Sequence, residues 1–276
     1  MFELLHYDFF QNALLATLFT GITCGLVGTY SVARRMVFIS GGITHASFGG
    51  LGLAYYAGIP PMCGATLFSL LAALGIQYLG GDRKLREDSL IGIFWSAGMA
   101  LGILFIYLTP GYAPDLMSYL FGSILTVTRD QILLSALLCA AVVAFFARCH
   151  RPLFYIAFDK EYSRTHNVRI NVIDTAATLF IALSIVLCLK LAGIILVISY
   201  LTIPQSIAGL FYKNFSQLLV ASSLISALGS IGGLFLSASL QTPVGATMVV
   251  TFLLLFLAGW LLRKCLRLNR GGSGKS

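Results

Sequence analysis

An all-α, polytopic transmembrane bundle is the fold class this sequence predicts, and three observations predict it. Of its 276 residues 58% are hydrophobic and 10% charged, with a mean hydropathy of +0.90, whereas a typical soluble domain carries roughly 25% charged residues. Apolar runs of spanning length recur along the whole chain; about 18 such residues cross ~30 Å of hydrocarbon at about 1.5 Å per residue. The basic residues gather in the breaks between those runs, where they set topology.

Taken in order, the polar and Gly/Pro breaks delimit nine candidate spans: 9–33, 38–58, 62–80, 89–109, 131–148, 172–190, 192–212, 216–239 and 243–263. The break from Lys190 to Gly193 is short and reads either as a loop or as a kink, which leaves eight or nine spans. The apolar stretch from Leu116 to Leu125, within 114–128, is too short to cross and too apolar for an ordinary loop. It predicts a short re-entrant or interfacial helix. Residues 1–268 then form one transmembrane domain, and 269–276 a flexible tail. The first apolar run follows Glu3 and Asp8 without a basic leader and outlasts a signal peptide, so it reads as the first span.

With the N-terminus outside, all but Arg129 and Lys190 of the 18 Lys and Arg fall on one side, which is therefore the cytoplasm, together with the C-terminus. The net charge of +8 is accordingly a topological signal and not a nucleic-acid footprint. Six cysteines lie mostly within or at the ends of apolar runs without a C-x-x-C pair, as helix-packing residues do. The 28 glycines cluster at 41–42, 49–52 and 229–233, where they serve close helix approach or act as hinges.

Few residues in the apolar runs can carry chemistry. His45 is the exception, an imidazole in the middle of a span, flanked by Ser40, Gly41, Gly42, Thr44 and Ser47. Such a group needs a hydrogen-bond partner or a wet cavity. It is either a packed, satisfied histidine or a ligand on a substrate pathway with Thr44 and Ser47 beside it. A lone imidazole among hydroxyls holds a metal loosely, as a conduit must, unlike a closed four-ligand zinc site. Asp115, on the external side, is either an ordinary helix N-cap or a carboxylate that receives a cation. The segment from Arg148 to Asn171 is the longest cytoplasmic one, and Phe158, Asp159, Glu161, Tyr162 and Arg164 give it the mixed character of a helix docking onto a soluble partner. The tail Gly271-Gly272-Ser273-Gly274-Lys275-Ser276 does not complete a phosphate-binding loop, because Asn269 stands where the first glycine belongs.

Several ordered motifs together resemble a known family. Arg34-Arg35-Met36, Thr44-His45-Ala46-Ser47, Leu90-Ile91-Gly92-Ile93 and Asp115-Leu116-Met117-Ser118-Tyr119-Leu120-Phe121-Gly122-Ser123 are followed by Phe158-Asp159, Ala192-Gly193-Ile194-Ile195, Ile203-Pro204 and Thr242-Pro243-Val244-Gly245-Ala246. The chain is similar to the zinc/manganese/iron permease family of ABC importers over nearly its full length. That resemblance implies a non-enzymatic transport subunit of a bacterial or archaeal inner membrane. It implies pairing with a second permease copy or a paralogue, two cytoplasmic ATP-binding subunits that hydrolyse ATP, and an extracytoplasmic metal-binding protein. It further implies a transported divalent metal (zinc, manganese or iron) with no permanently bound cofactor, His45 as its ligand, and the Phe158–Arg164 region as coupling helix. Family members often carry an aspartate four residues before this histidine, on the same helical face; here that position is Gly41. The missing carboxylate leaves a permease for a metal chelate of haem, cobalamin or siderophore type as the alternative. An intramembrane hydrolase lacks a nucleophile motif, and a stand-alone channel or carrier lacks intramembrane carboxylates or a visible repeat.

Overall fold

The computed structural model describes residues 6–80, 86–110, 122, 124–158 and 170–272, with side chains as far as Leu266. Among these, the regular structure is entirely helical. Eight long helices follow one another: α1 Asp8–Ala33, α2 Val37–Tyr56, α3 Pro61–Gly80, α4 Glu87–Leu108, α5 Arg129–Phe158, α6 Ile170–Phe211, α7 Phe215–Leu240 and α8 Val244–Gly272, with a short 3₁₀ turn Ile124–Thr126 before α5. All eight contain a stretch long and apolar enough to cross a membrane. Helices dominate because hydrocarbon offers the backbone no water, so each amide must bond within its own segment. The hydroxyls follow the same rule: Thr29, Thr44, Ser135, Thr202 and Ser230 donate to the carbonyl four residues back.

The 42 residues of α6 are two crossings, not one. Gly193, at φ 78° and ψ 171°, lies in a backbone region essentially restricted to glycine and interrupts the helix. In the first arm, Asp174 accepts a hydrogen bond from Tyr30 Oη; in the second, Gln205 Nε2 donates to the carbonyl of Cys24. A straight helix would hold Asp174 and Gln205 about 46 Å apart, yet their partners on α1 are separated by only about 9 Å along its axis. The chain therefore turns back at Gly193, and the arms 170–192 and 194–211 lie side by side. The break that reads from sequence as loop or kink is a helical hairpin, and nine crossings result.

Contacts fix the direction of the other helices. Gly21 meets Ala227 and Gly25 meets Ser223, so α1 and α7 run antiparallel. Gly229 meets Phe252 and Gly233 meets Met248, which sets α8 antiparallel to α7. The second arm of α6 runs with α8, Tyr200 against Phe252 and Phe211 near Gly259. In the N-terminal half, α2 and α4 run parallel in a close, glycine-mediated contact: Gly42 against Ile91, Gly49 against Gly98, Gly52 against Gly102. A Cβ at Gly49 would stand 2.9 Å from the Gly98 carbonyl oxygen, the close backbone approach that small residues permit in lipid. These directions gather Arg34, Arg35, Arg86, Lys213 and Arg263 at one end of the bundle, as the charge pattern predicts.

One segment differs from the sequence expectation. The helix of α5 continues beyond the predicted boundary at residue 148 as far as Phe158, interrupted only at Cys149 (φ −111°, ψ 16°). Pro152 explains the interruption, because it lacks an N–H for the carbonyl four residues earlier and its ring crowds that carbonyl. Of the predicted interfacial helix within 114–128, only Gly122 and residues from Ile124 onward are described, and Ile124–Thr126 form a single 3₁₀ turn.

At the basic end, Arg34 Nη1 sits 2.5 Å from Asp174 Oδ1, and Tyr30 Oη donates to the same oxygen at 3.0 Å. Asp174 is 2% and Arg34 11% exposed. The group fastens α1 to the start of α6. Removing one member of a buried ion pair strands the other charge, at a loss of about 3–5 kcal/mol; Asp174→Ala should lose that much stability, read as a lowered unfolding midpoint of the detergent-solubilised protein. Gly193→Ala, forced into a glycine-only conformation, should lose about 1–3 kcal/mol in the same measurement.

Candidate functional site

Between Ile39 and Gly52, α2 is buried on every side by its own chain, with one exception: His45 is the sole residue there whose side chain is not buried. The helix is packed so closely because α3 and α4 approach it through glycines, Gly64 against Gly50 and Gly98 against Ala46. His45 emerges at the junction with α4. Its ring stacks on Trp95, with centroids 4.1 Å apart and planes inclined by 16°. Its Nδ1 lies 3.2 Å from Met99 Sδ. Trp95 and Met99 are one turn apart on α4, both half-buried, and Gly92 and Ser96 on the neighbouring positions are exposed. A histidine, a thioether, a hydroxyl and a bare glycine thus share a face otherwise made of lipid-like side chains.

The position of Gly41 gains a physical explanation. A Cβ built there would stand 2.5 Å from Trp95 Cζ3. The indole fills the space one turn before His45 that an acidic side chain would occupy. No carboxylate approaches His45 from its own helix.

Thr44 and Ser47 are fully buried and donate to the carbonyls of Ser40 and Thr44, at 2.6 and 2.5 Å. They lie on other faces of α2 than His45 does. Asp115, Asp159, Glu161, Tyr162 and Arg164 fall outside the described residues. Phe158 ends α5, 61% exposed, with its ring 4.8 Å from Phe154 and 6.4 Å from Phe215 at the start of α7. Among the described residues no group of three or more His, Cys, Asp and Glu converges on a metal position. Sequence reasoning did not single out Trp95, Met99 or the Arg34–Asp174 pair. The available signal was a Trp and a Met four residues apart in mid-span, one of only two tryptophans in the chain.

This is the anatomy of a multi-pass membrane transport subunit: a bundle of crossing helices, with its one semi-exposed intramembrane imidazole held between two of them. Residues 6–263 match the model of the ABC 3 transport family, and the chain belongs to that family. It is similar to an uncharacterized membrane protein of Synechocystis, 39% identical over 264 residues that cover 96% of this chain and 94% of the relative. It is also similar to the manganese import system permease protein ScaB of Streptococcus parasanguinis, 30% identical over 264 residues, with the same two coverages. Among solved structures, PsaBC from Streptococcus pneumoniae in complex with Fab superimposes with a TM-score of 0.80 at 29% identity, over 92% of this chain and 91% of that one.

Gly41→Asp should be tolerated poorly alone and better when Trp95→Ala opens the space. Overpacking of this kind costs about 1–3 kcal/mol. Thermal unfolding of the two single variants and the double variant should therefore reveal a favourable coupling between the positions.

Proposed function

We propose that this chain is the membrane-spanning subunit of an ABC importer that carries a divalent transition metal (zinc, manganese or iron) into the cytoplasm. The observation that carries the reading is His45. Along the stretch of α2 from Ile39 to Gly52, buried elsewhere by its own chain, it is the residue left open, and an ionisable group held open at mid-membrane belongs to a transport path. Half-burial suits it to face a second copy or a paralogue across that path, since lipid would leave its ring nitrogens unsatisfied. The relatives named for manganese import support a metal cargo.

In this reading the basic end of the bundle faces the cytoplasm, with the N-terminus outside and the C-terminus inside. Two ATP-binding subunits dock at that end and hydrolyse ATP, and a metal-binding protein delivers cargo at the other. The connection between α5 and α6, including Asp159, Glu161, Tyr162 and Arg164, transmits the motion of the ATPases. Phe158 supports the assignment by anchoring this connection against Phe215. The transport cycle is alternating access: nucleotide-driven closure of the ATPases favours one of two arrangements of the paired bundles, and the path opens to one side at a time. His45 binds cargo in transit, and Asp115 stands near the external mouth.

Proteoliposomes holding the permease with its ATPase and binding protein provide the test, loaded with radioactive zinc, manganese or ferrous iron. ATP-dependent uptake of one of these metals should fall by about tenfold or more in His45→Ala, with assembly of the complex unchanged. Uptake of a metal chelate and of no free metal would replace this reading by the chelate one.

A further inference from the structure

We infer that His45 and Met99 act together as an imidazole and thioether pair that binds the cargo, and that this pair selects a soft or borderline cation, zinc or cuprous copper, over manganese. The inference rests on the importer reading above, narrows its divalent cargo to zinc, and sets cuprous copper beside it as the monovalent ion the same donors would take.

The geometry comes first. The Nδ1 to Sδ separation of 3.2 Å is about 0.3 Å short of the about 3.5 Å that two ligands span at the tetrahedral angle on one ion, with bonds of about 2.0 Å to nitrogen and about 2.3 Å to sulfur. Trp95 braces the imidazole from one side, so its Nδ1 stays turned toward Met99. Binding needs the Nδ1 lone pair, which the neutral ring offers when its proton is on Nε2, so no net proton is released.

The alternative use of this contact is a hydrogen bond from the ring to the thioether, and a thioether is among the weakest acceptors available. The hydroxyls of Ser96 and Ser47 are committed to their own helices, onto the carbonyls of Ile93 and Thr44. A half-buried mid-membrane imidazole set against a thioether has the arrangement of a soft ligand pair.

Ligand chemistry then decides the ion. Manganese prefers carboxylate, carbonyl and water oxygens, while zinc and copper accept both imidazole and thioether. The position from which a carboxylate would reach the ion beside His45 is Gly41, and the Trp95 ring fills it. The site has exchanged a hard oxygen for a soft sulfur. Two donors leave the ion loosely held, with further positions open to a second copy or to water, as release demands.

The test uses the permease assembled with its ATPase. Equilibrium binding of radioactive zinc, of cuprous copper under reducing conditions and of manganese is measured for wild type, Met99→Leu and Met99→Glu, with X-ray absorption at the metal edge. Wild type should bind zinc or cuprous copper ahead of manganese, with a sulfur neighbour in the absorption spectrum. Met99→Leu, close in volume, should lose that sulfur and about tenfold or more of the affinity for the preferred ion, while the complex elutes as wild type does. Met99→Glu should move the preference toward manganese. Tighter binding of cuprous copper than of zinc identifies copper as the cargo, and the reverse identifies zinc. An all-nitrogen and oxygen shell in wild type, a manganese preference in wild type, or an unchanged order in Met99→Leu overturns the inference and leaves the importer reading intact if metal is still transported. Absence of ATP-dependent uptake of zinc, manganese and ferrous iron in the proteoliposome assay overturns the importer reading as well.

Discussion

A polar group placed in hydrocarbon has no water to fall back on, and the architecture of this protein follows from that deficit. Each unsatisfied backbone group would cost several kcal/mol, so the described chain is helix wherever it crosses, and many of its hydroxyls bond back to the helix that bears them. The same pressure governs the charges. Arg34 and Asp174 tolerate burial because they satisfy one another, with Tyr30 donating to the same carboxylate oxygen. Their pairing closes the start of α6 onto the end of α1 at the basic end, and the return of α6 at Gly193 then brings Gln205 back to the same helix.

Once the polar groups are satisfied, close packing must supply the cohesion, since lipid tails are as apolar as the helix surfaces they compete with. The glycines do so unequally. Those on α2 and α4 bring the two backbones into contact along their length, which leaves α2 almost wholly enclosed. In contrast, α4, α5 and α8 keep most of their crossing surface outside the core and carry exposed leucines suited to lipid or to a partner. The enclosed helix is the one that bears His45. A side chain on such a helix is held in position by its neighbours, so its one open side is a defined direction.

Much of this was legible in the residues. Span limits follow from hydropathy and polar breaks, so that 9–33 and 89–109 correspond to Asp8–Ala33 and Glu87–Leu108, and the sidedness of the charges agrees with the helix directions. His45 stood out as a lone imidazole in an apolar run. The pairing of Arg34 with Asp174 was not legible, because the two are 140 residues apart and Asp174 reads locally as the polar start of a span. Nor was the extension of α5 to Phe158, since Pro152 and the surrounding charges look like a loop when the helix on either side is not seen. Trp95 and Met99 read as ordinary span residues until α4 is placed parallel to α2 and in register with it, a relation that skips the intervening α3 and has no local signature.

The Gly41 position shows how such a relation changes the meaning of a residue. Taken alone, the glycine is a missing carboxylate and suggests a weakened site. Set against α4, it is the vacancy that admits an indole, and the indole in turn fixes the imidazole that faces Met99. A side chain at 41 and the Trp95 ring in its present position compete for the same space, since a Cβ at 41 would stand 2.5 Å from Trp95 Cζ3. The absence of an acidic side chain at 41 and the presence of Trp95 are therefore one packing arrangement, which leaves His45 stacked on the indole between the helices with its Nδ1 beside the Met99 sulfur.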